Sequence, residues 1–468
     1  MRNLLTIIAL MLSFTLNARE NNTNVLPITG TWLNLAYQDV RNLYTNPPGS
    51  DNTNPEMWAT KVRELNEMGV EYLVFMAVAN EGKSFYPSRL MPCDYPQNRK
   101  SPVDAIMDEA AKLGMKVFMS TGWAKDQDDN LRDPKIKQRQ LDIMEELACL
   151  YKDHKALYGW YLPVEDCLGP VLTDYAVEAV NALTERAKQL TPDKKILISP
   201  YGIFNSDFSH PDYAKQICSL KVDIIAYQDE VGCIREDYPI VRLRENWKKL
   251  RKIHDEAGIE MWANCETFTW EKNTNDRKSA LIPCSYSRLL EQQIVATEAG
   301  VEKIISFMLC GIWENPDSPY KIGQPHWSNV AWKDYMDWKS GNSAYWNSME
   351  KSLMKGDSDW IDLKSGYHEF NISKDNLFVR FLNYEKGGYI LPDMVSLAVS
   401  SDGVNYTTIA VESAKAFANT RHDAFSDGFH FDTSKLSKKS AKLFSEATSI
   451  KIFFNLEGKA RIIPPHAE

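Results

Sequence analysis

The sequence predicts an α/β protein: a (β/α)8 barrel followed by a smaller C-terminal β-sandwich. Three observations carry this. Between residues 27 and 341, eight short apolar runs alternate with amphipathic stretches, as strands buried on both faces alternate with the helices that cover them. Four times a helical stretch ends in a glycine that leads straight into the next run: Met68-Gly69-Val70, Leu113-Gly114-Met115, Ala257-Gly258-Ile259 and Ala299-Gly300-Val301. Glycine takes the left-handed cap conformation cheaply, which permits the tight return at the bottom of a βα unit. From about Asp357 the texture changes to short alternating runs separated by turns.

Taken in order, the expected strands are Ile28–Asn34, Glu71–Val78, Lys116–Gly122, Leu157–Leu162, Lys195–Tyr201, Val222–Gln228, Glu260–Asn264 and Lys303–Leu309. The expected helices are Pro55–Met68, Ser101–Leu113, Asp133–Tyr151, Val171–Leu190, the shorter His210–Leu220, Tyr238–Ala257, Ser285–Ala299 and finally Asn329–Trp338. Ser101-Pro102 is a cap followed by proline at the first helical position. Such an alternation closes into a barrel. An open doubly wound sheet is the competing architecture, and no glycine-rich phosphate loop follows the first strand to support it. The loops after the first, seventh and eighth strands are long, and that end of a barrel is where sites are built.

The C-terminal part, residues 357–468, is expected to form a sandwich from strands Asp359–Leu363, Tyr367–Ile372, Leu377–Leu382, Met394–Ser400, Tyr406–Val411 and Ser449–Leu456. Val395–Tyr406 reads as a hairpin with a type I′ turn at Asp402-Gly403. Its Ser-Asp-Gly phrase resembles a hairpin of galactose-binding-like sandwich modules, a motif also found in structural sandwiches.

Composition bounds the function. The 468 residues are 44% hydrophobic with a net charge of −9, enough for a large core and without the basic excess of a nucleic-acid groove. Arg2, the apolar run Leu4–Leu16 and Ala18 have the form of a signal peptide over residues 1–18. The run is short for a membrane span, and an exported, periplasmic or secreted protein is expected. Export permits disulfides. The eight cysteines form no CxxC pair, and one or two bridges or none fit their spacing. The eight histidines form no HxH or HExxH motif, and GxSxG is absent, which argues against metal-dependent and serine hydrolases. No metal or cofactor is implied.

The chemistry centres on two matching stretches. Leu157–Gly169 is an apolar strand that breaks at Pro163 and presents Glu165 just past its end. Ile259–Trp270 does the same with Glu266. In an eight-stranded barrel the ends of strands four and seven face each other across the mouth. Most glycosidases use two carboxyl groups flanking the bond, about 5 Å apart in retaining enzymes. For either glutamate alone, a solvated loop charge or a helix N-terminal charge is the bland alternative. Asp166 reads as a cap or supporting partner, with competition for the role of Glu165 as the alternative. Asp229 and Glu230 form a second acidic pair at the end of strand six, either a structural network holding Tyr227 or a catalytic carboxylate in a different barrel geometry. Glu314 is either subsite lining or a loop charge.

Trp32, Trp123, Trp160, Tyr201, Tyr227, Trp262, Phe268, Trp270 and Trp313 lie near strand ends. Sugar rings have apolar faces that stack on such residues. Trp160 and Trp262, inside strands, read as barrel core. Asn34, Trp123, Tyr227, Asp229, Glu230, Trp270 and Trp313 are the candidates for substrate contact.

On these residues the stretch from Ile28 to Gly341 resembles the clan A glycoside hydrolases, barrels with the acid/base on strand four and the nucleophile on strand seven. The resemblance implies Glu165 as acid/base, Glu266 as nucleophile, Tyr227 as the strand-six tyrosine touching the nucleophile, and Trp313 as the strand-eight floor of the sugar subsite. It departs at Val164, where the clan has an Asn that contacts the ring-2 hydroxyl. More closely, the whole chain resembles a family of exported bacterial proteins with a domain of unknown function followed by a β-sandwich. The function expected is retaining hydrolysis of O-glycosidic bonds in a poly- or oligosaccharide. The alternative is a non-catalytic glycan-binding protein with a degenerate barrel.

Overall fold

The computed structural model describes residues 25–35, 44, 51–122, 130–234, 240–271, 279–323, 328–354, 361–374, 377–382, 394–413, 428–457 and 460–463. The expected signal peptide and Trp123 lie outside the described residues.

Eight parallel strands close a barrel: β1 (Ile28–Asn34), β2 (Tyr72–Ala77), β3 (Lys116–Ser120), β4 (Leu157–Tyr161), β5 (Lys195–Ile198), β6 (Ile224–Gln228), β7 (Glu260–Glu266) and β8 (Lys303–Phe307). Each pairs with the next in chain order, and β8 closes onto β1. The four return glycines all have positive φ, between 68° and 86°, as the tight returns require.

Around the barrel stand α1 (Pro55–Glu67), α2 (Pro102–Leu113), α3 (Pro134–Tyr151), α4 (Asp174–Leu190), α5 (Tyr213–Ser219), α6 (Ile240–Ala257) and α7 (Tyr286–Glu298). After β8 come α8 (Ser328–Ser340) and α9 (Ala344–Met354), the latter not anticipated. The first three helices begin at proline behind a capping Asn54, Ser101 or Asp133, which satisfies otherwise orphaned N–H groups. α4 begins later than the expected Val171. Thr173 is its cap, and the Asp166 carboxylate holds Thr173 through both backbone N–H and hydroxyl at 2.8 Å.

Side-chain contacts across the barrel tell which residues face its interior. Trp262 of β7 meets Tyr72 of β2 and Phe118 of β3 at 5.0 and 6.0 Å between ring centroids. Only inward side chains can reach so far. Tyr158 joins them at 5.6 Å from Tyr72, at the point where the β3–β4 register shifts. These rings plug the bottom. With a side-chain period of two, Asn264 and Glu266 then also point inward. On β4, Trp160 donates to Thr191 at the end of α4, so Tyr161 points inward and meets Trp32 of β1 edge-on at 4.5 Å.

The C-terminal sandwich has two four-stranded sheets. Its strands are β9 (Ile361–Leu363), β10 (Gly366–Ile372), β11 (Phe378–Leu382), β12 (Met394–Ser400), β13 (Thr407–Ser413), β14 (Gly428–His430), β15 (Ser449–Leu456) and β16 (Ala460–Ile463). The sheet orders are β9-β16-β11-β14 and β10-β15-β12-β13. Val395, Leu397, Ile452 and Phe454 form its core. The short β14 and β16, and the helix α10 (Lys438–Glu446), were not anticipated.

The β12–β13 connection differs from the expected type I′ turn. Only Gly403 in it has positive φ, whereas type I′ needs two such residues. Instead the Asp402 carboxylate accepts from the N–H groups of Val404 and Asn405 and organises a longer loop. All eight cysteines are free thiols. Among the described residues no helix is long and apolar enough to cross a membrane.

Candidate active site

Pro163 ends the run after β4, because it has no N–H for a ladder. The chain then pairs with the segment after β5: Leu168 N–H donates to Tyr201 O at 2.8 Å and Tyr201 N–H to Asp166 O at 3.2 Å. Glu165, half-buried, is held in this stretch. Gln228 supports it from β6: Nε2 donates to Glu165 Oε1 at 3.1 Å and to Ser199 O at 3.0 Å.

Glu266 is the last residue of β7 and is only 6% exposed. Its Oε2 accepts from Cys233 N–H at 2.7 Å. The loop after β6 can lie this close because residue 232 is glycine: a Cβ there would stand 2.4 Å from Phe268 O and 3.0 Å from Glu266 Oε2. The charge of Arg288 on α7 acts on Glu266, but its Nη2 donates to the backbone oxygens of Glu266 and Phe268 at 2.7 and 2.9 Å. The carboxylate has no ion pair among the described residues. Burial, then the charges of Asp229 and Glu230, push the Glu266 pKa well above the usual carboxylate range.

The acidic pair after β6 divides by direction. Asp229 is fully buried and is held between β7 and α7. It accepts from Glu266 N–H at 3.1 Å and from Gln292 Nε2 at 2.5 Å, and burial raises its pKa too. Asp229 thus belongs to a hydrogen-bond network that braces the backbone of Glu266, whereas Tyr227 is held from α6. Glu230 is 5% exposed and has φ of +54°, a rare conformation for a side chain of this size. Its Oε2 accepts from Gly202 N–H at 2.7 Å, which ties the loop after β6 to the loop after β5.

Two expected contacts are corrected. Tyr227 does not face the barrel interior: its ring packs against Trp247 and His254 of α6 at 6.1 and 5.4 Å. Its hydroxyl lies 2.7 Å from His254 Nε2. His254 Nδ1 donates to Ile259 O at 2.8 Å, leaving Nε2 to accept from the phenol, and burial pushes the imidazole down to about 4. The residue of β6 that points inward is Gln228. Trp313 is likewise no exposed floor. It is 2% exposed, donates to Thr267 O at 3.3 Å, and packs in a cluster with Tyr286 and Tyr335. The strand-eight aromatic beside the carboxylate is the half-buried Phe307, in register with Glu266.

Of the other candidates, Trp270 is 8% exposed and stands against Phe268 with ring centroids 5.9 Å apart. Asn34 is buried at the end of β1. Tyr201, 39% exposed, is the open aromatic beside Glu165. Burial first, then the charges of Cys167, Asp166, Glu165 and Glu230, raise its pKa. Glu314 is neither loop charge nor lining: it is 1% exposed, pairs with Lys61 Nζ at 2.5 Å and accepts from the N–H groups of Ile322 and Gly323.

Gln228, Phe307 and Cys233 N–H are the site groups that sequence reasoning missed. Gln228 and Phe307 sit on strands buried on both faces, where apolar runs conceal which residues point inward. Nothing in sequence flags a backbone donor such as Cys233 N–H.

The family described as Domain of unknown function (DUF4434) matches residues 28–320, a span that includes all eight barrel strands. Among solved structures, the chain is similar to a candidate alpha-L-fucosidase of Bacteroides thetaiotaomicron, with a TM-score of 0.52 and 21% identity over 67% of this chain and 94% of that one. Looser likenesses include an endo-1,4-beta-mannanase of Rhizomucor miehei, with a TM-score of 0.44 and 11% identity over 68% and 96% of the two chains. Another is a glycoside hydrolase family 5 protein of Bacteroides vulgatus, with a TM-score of 0.40 and 14% identity over 93% and 91%. At 21% identity, what the likeness to the first of these shows is the fold alone. No curated protein matches the chain in sequence.

Proposed function

The chain belongs to the family described as Domain of unknown function (DUF4434), and on that premise we propose that it is an exported glycoside hydrolase acting on a poly- or oligosaccharide by a retaining mechanism. The observation that carries this reading is the contrast between two carboxyl groups at the ends of β4 and β7. Glu165 is half-buried and receives an amide N–H. Glu266 is buried among acids with its pKa raised. A pair of carboxyl groups with divergent surroundings is what division of acid and base roles requires.

In this reading Glu165 protonates the leaving oxygen while Glu266 attacks the anomeric carbon. The C–O bond to the leaving group breaks as the bond to Glu266 forms. Glu165, now a carboxylate, takes a proton from water as the water oxygen attacks the anomeric carbon and the bond to Glu266 breaks, which releases the sugar and restores both groups. Burial and the neighbouring acids raise the Glu266 pKa. Glu266 then attacks only above its own pKa. Phe307 and Tyr201 offer ring faces to the sugar.

The test is turnover of a panel of plant, host and microbial glycans by mature protein, Glu165→Gln and Glu266→Gln, read as reducing ends. Loss in both variants supports the pair. Activity that survives both moves the chemistry to Glu230. The second reading, a non-catalytic glycan binder, is favoured by Val164 where the clan has Asn. Sugar binding without turnover, unchanged by Glu266→Gln, would establish it.

A further inference from the structure

The barrel interior around Glu266 holds two buried polar atoms that nothing among the described residues satisfies: Nε1 of Trp32 and Oδ1 of Asn264. Both residues are 2% exposed. Natural proteins keep few such atoms, because each gives up its bond to water on burial.

Their positions are related. Thr31 of β1 is in register with Ser306 of β8, and Ser306 with Cys265 of β7. Trp32 therefore stands level with Phe307 and Glu266, and Asn264 lies one inward position below Glu266. Both point into the barrel, Trp32 against Tyr161 and Asn264 by alternation with Trp262.

The hydrogen bonds also fix which atom of the Asn264 amide is left over. Ser199 spends its hydroxyl proton on Ala226 O at 2.7 Å, so towards Asn264 it can only accept. The atom facing it at 3.1 Å is Nδ2, which leaves Oδ1 as the open acceptor. The interior thus presents one donor and one acceptor, the complement of hydroxyl groups.

We propose that Trp32 Nε1 and Asn264 Oδ1 hold hydroxyl groups of the sugar ring cleaved at Glu165 and Glu266, and that this ring is uncharged. The proposal rests on the hydrolase reading and adds the class of its substrate. A neutral ring fits the charges of the described residues. Glu165, Glu230 and Glu266 surround the site, while the Nη atoms of Arg288 donate to the backbone oxygens of Val231, Glu266 and Phe268. A uronate carboxylate would meet acids and no available cation among the described residues of this floor.

The experiment is calorimetric titration of the full-length mature Glu266→Gln protein. The probes are 4-nitrophenyl glycosides of neutral hexoses, pentoses and 6-deoxyhexoses, and the corresponding glucuronide. The expected result is binding of a neutral glycoside, with the glucuronide weaker. Trp32→Phe and Asn264→Ala should each weaken the neutral ligand about ten-fold, the scale of one lost hydrogen bond. A deoxy analogue lacking the contacted hydroxyl should lose as much against the parent and no more against the variant.

Trp32→Phe deletes an unpaired donor but also part of a buried ring packed on Tyr161, so a cooperative melting transition well above the titration temperature is the control that separates lost binding from lost fold. Unchanged binding in both variants, preference for the glucuronide, or no neutral glycoside bound at millimolar concentration overturns the proposal. Turnover abolished by Glu165→Gln and Glu266→Gln but untouched by Trp32→Phe and Asn264→Ala overturns it while the hydrolase reading stands. Binding that depends on Trp32 and Asn264, without turnover of any glycoside, removes the hydrolase reading and leaves the hydroxyl site.

Discussion

Glu266 and Glu314 are two buried glutamates on the same side of the barrel, 6% and 1% exposed, and their surroundings are opposite. Glu314 is neutralised by Lys61 and further bonded by two backbone N–H groups. It anchors the segment after β8 to α1. Glu266 has acids for neighbours, and the Arg288 guanidinium is turned to carbonyl oxygens instead. A fold that only needed a buried carboxyl group would pair it, as it does Glu314. Leaving Glu266 unpaired costs stability, and such sites are characteristic of function.

The sharpest way to break the contrast is substitution. Glu266→Gln should abolish turnover. Glu165→Gln should cut it by about 10²- to 10⁴-fold, the range for general acid–base groups. Glu314→Gln should leave the chemical step near that of the parent. Glycan turnover by the three purified variants checks this. Stability should show the reverse order. Lys61→Ala strands Glu314 in the interior and is expected to cost about 3–5 kcal/mol, the usual cost of breaking a buried pair. Denaturant unfolding measures it.

Glu266→Gln should instead raise the melting temperature at neutral pH and do so less at pH 4. A carboxyl group with raised folded pKa binds more protons folded than unfolded, so its presence lowers stability as pH rises above the ordinary value of 4.5.

A subtler effect should appear in the pH profile. The groups facing Glu266 are Asp229 and Glu230 from the end of β6, and Arg288 and Gln292 from α7. Glu230→Gln removes one negative charge, so the Glu266 pKa falls and the acid limb of kcat/KM moves to lower pH. If Glu266 were instead the protonated acid, its raised pKa would govern the alkaline limb, and the same variant would move that limb down. The smallest effect is expected from Tyr227→Phe, whose hydroxyl serves His254: kcat/KM should stay within about two-fold, the size of a weak or absent contact. A large loss would mean that Tyr227 reaches the reacting centre after all.

The barrel was legible because its punctuation is local. Gly69, Gly114, Gly258 and Gly300 mark the returns, and Asn54, Ser101 and Asp133 the helix starts. Glu165 and Glu266 stood out as candidates because one follows an apolar strand that breaks at Pro163 and the other ends an apolar strand. What failed was direction. Tyr227 and Gln228 are neighbours on a strand buried on both faces, and only contacts with α6 reveal that the tyrosine points out. Trp313 failed for a related reason: a tryptophan soon after a strand serves as well in an aromatic cluster as in a cleft, and Tyr286 and Tyr335, distant in sequence, decide which. In the sandwich, β14 is three residues long, too short to show a period of two.

The most direct test of the central claim is azide rescue with an activated aryl glycoside that the parent cleaves, reading the configuration of the glycosyl azide. With Glu165→Ala, azide should restore turnover by attacking the glycosyl–Glu266 intermediate and give a product of retained configuration. With Glu266→Ala, it should attack the substrate directly and give the inverted product. The opposite assignment, or the same configuration from both variants, would contradict an acid/base at the end of β4 and a nucleophile at the end of β7.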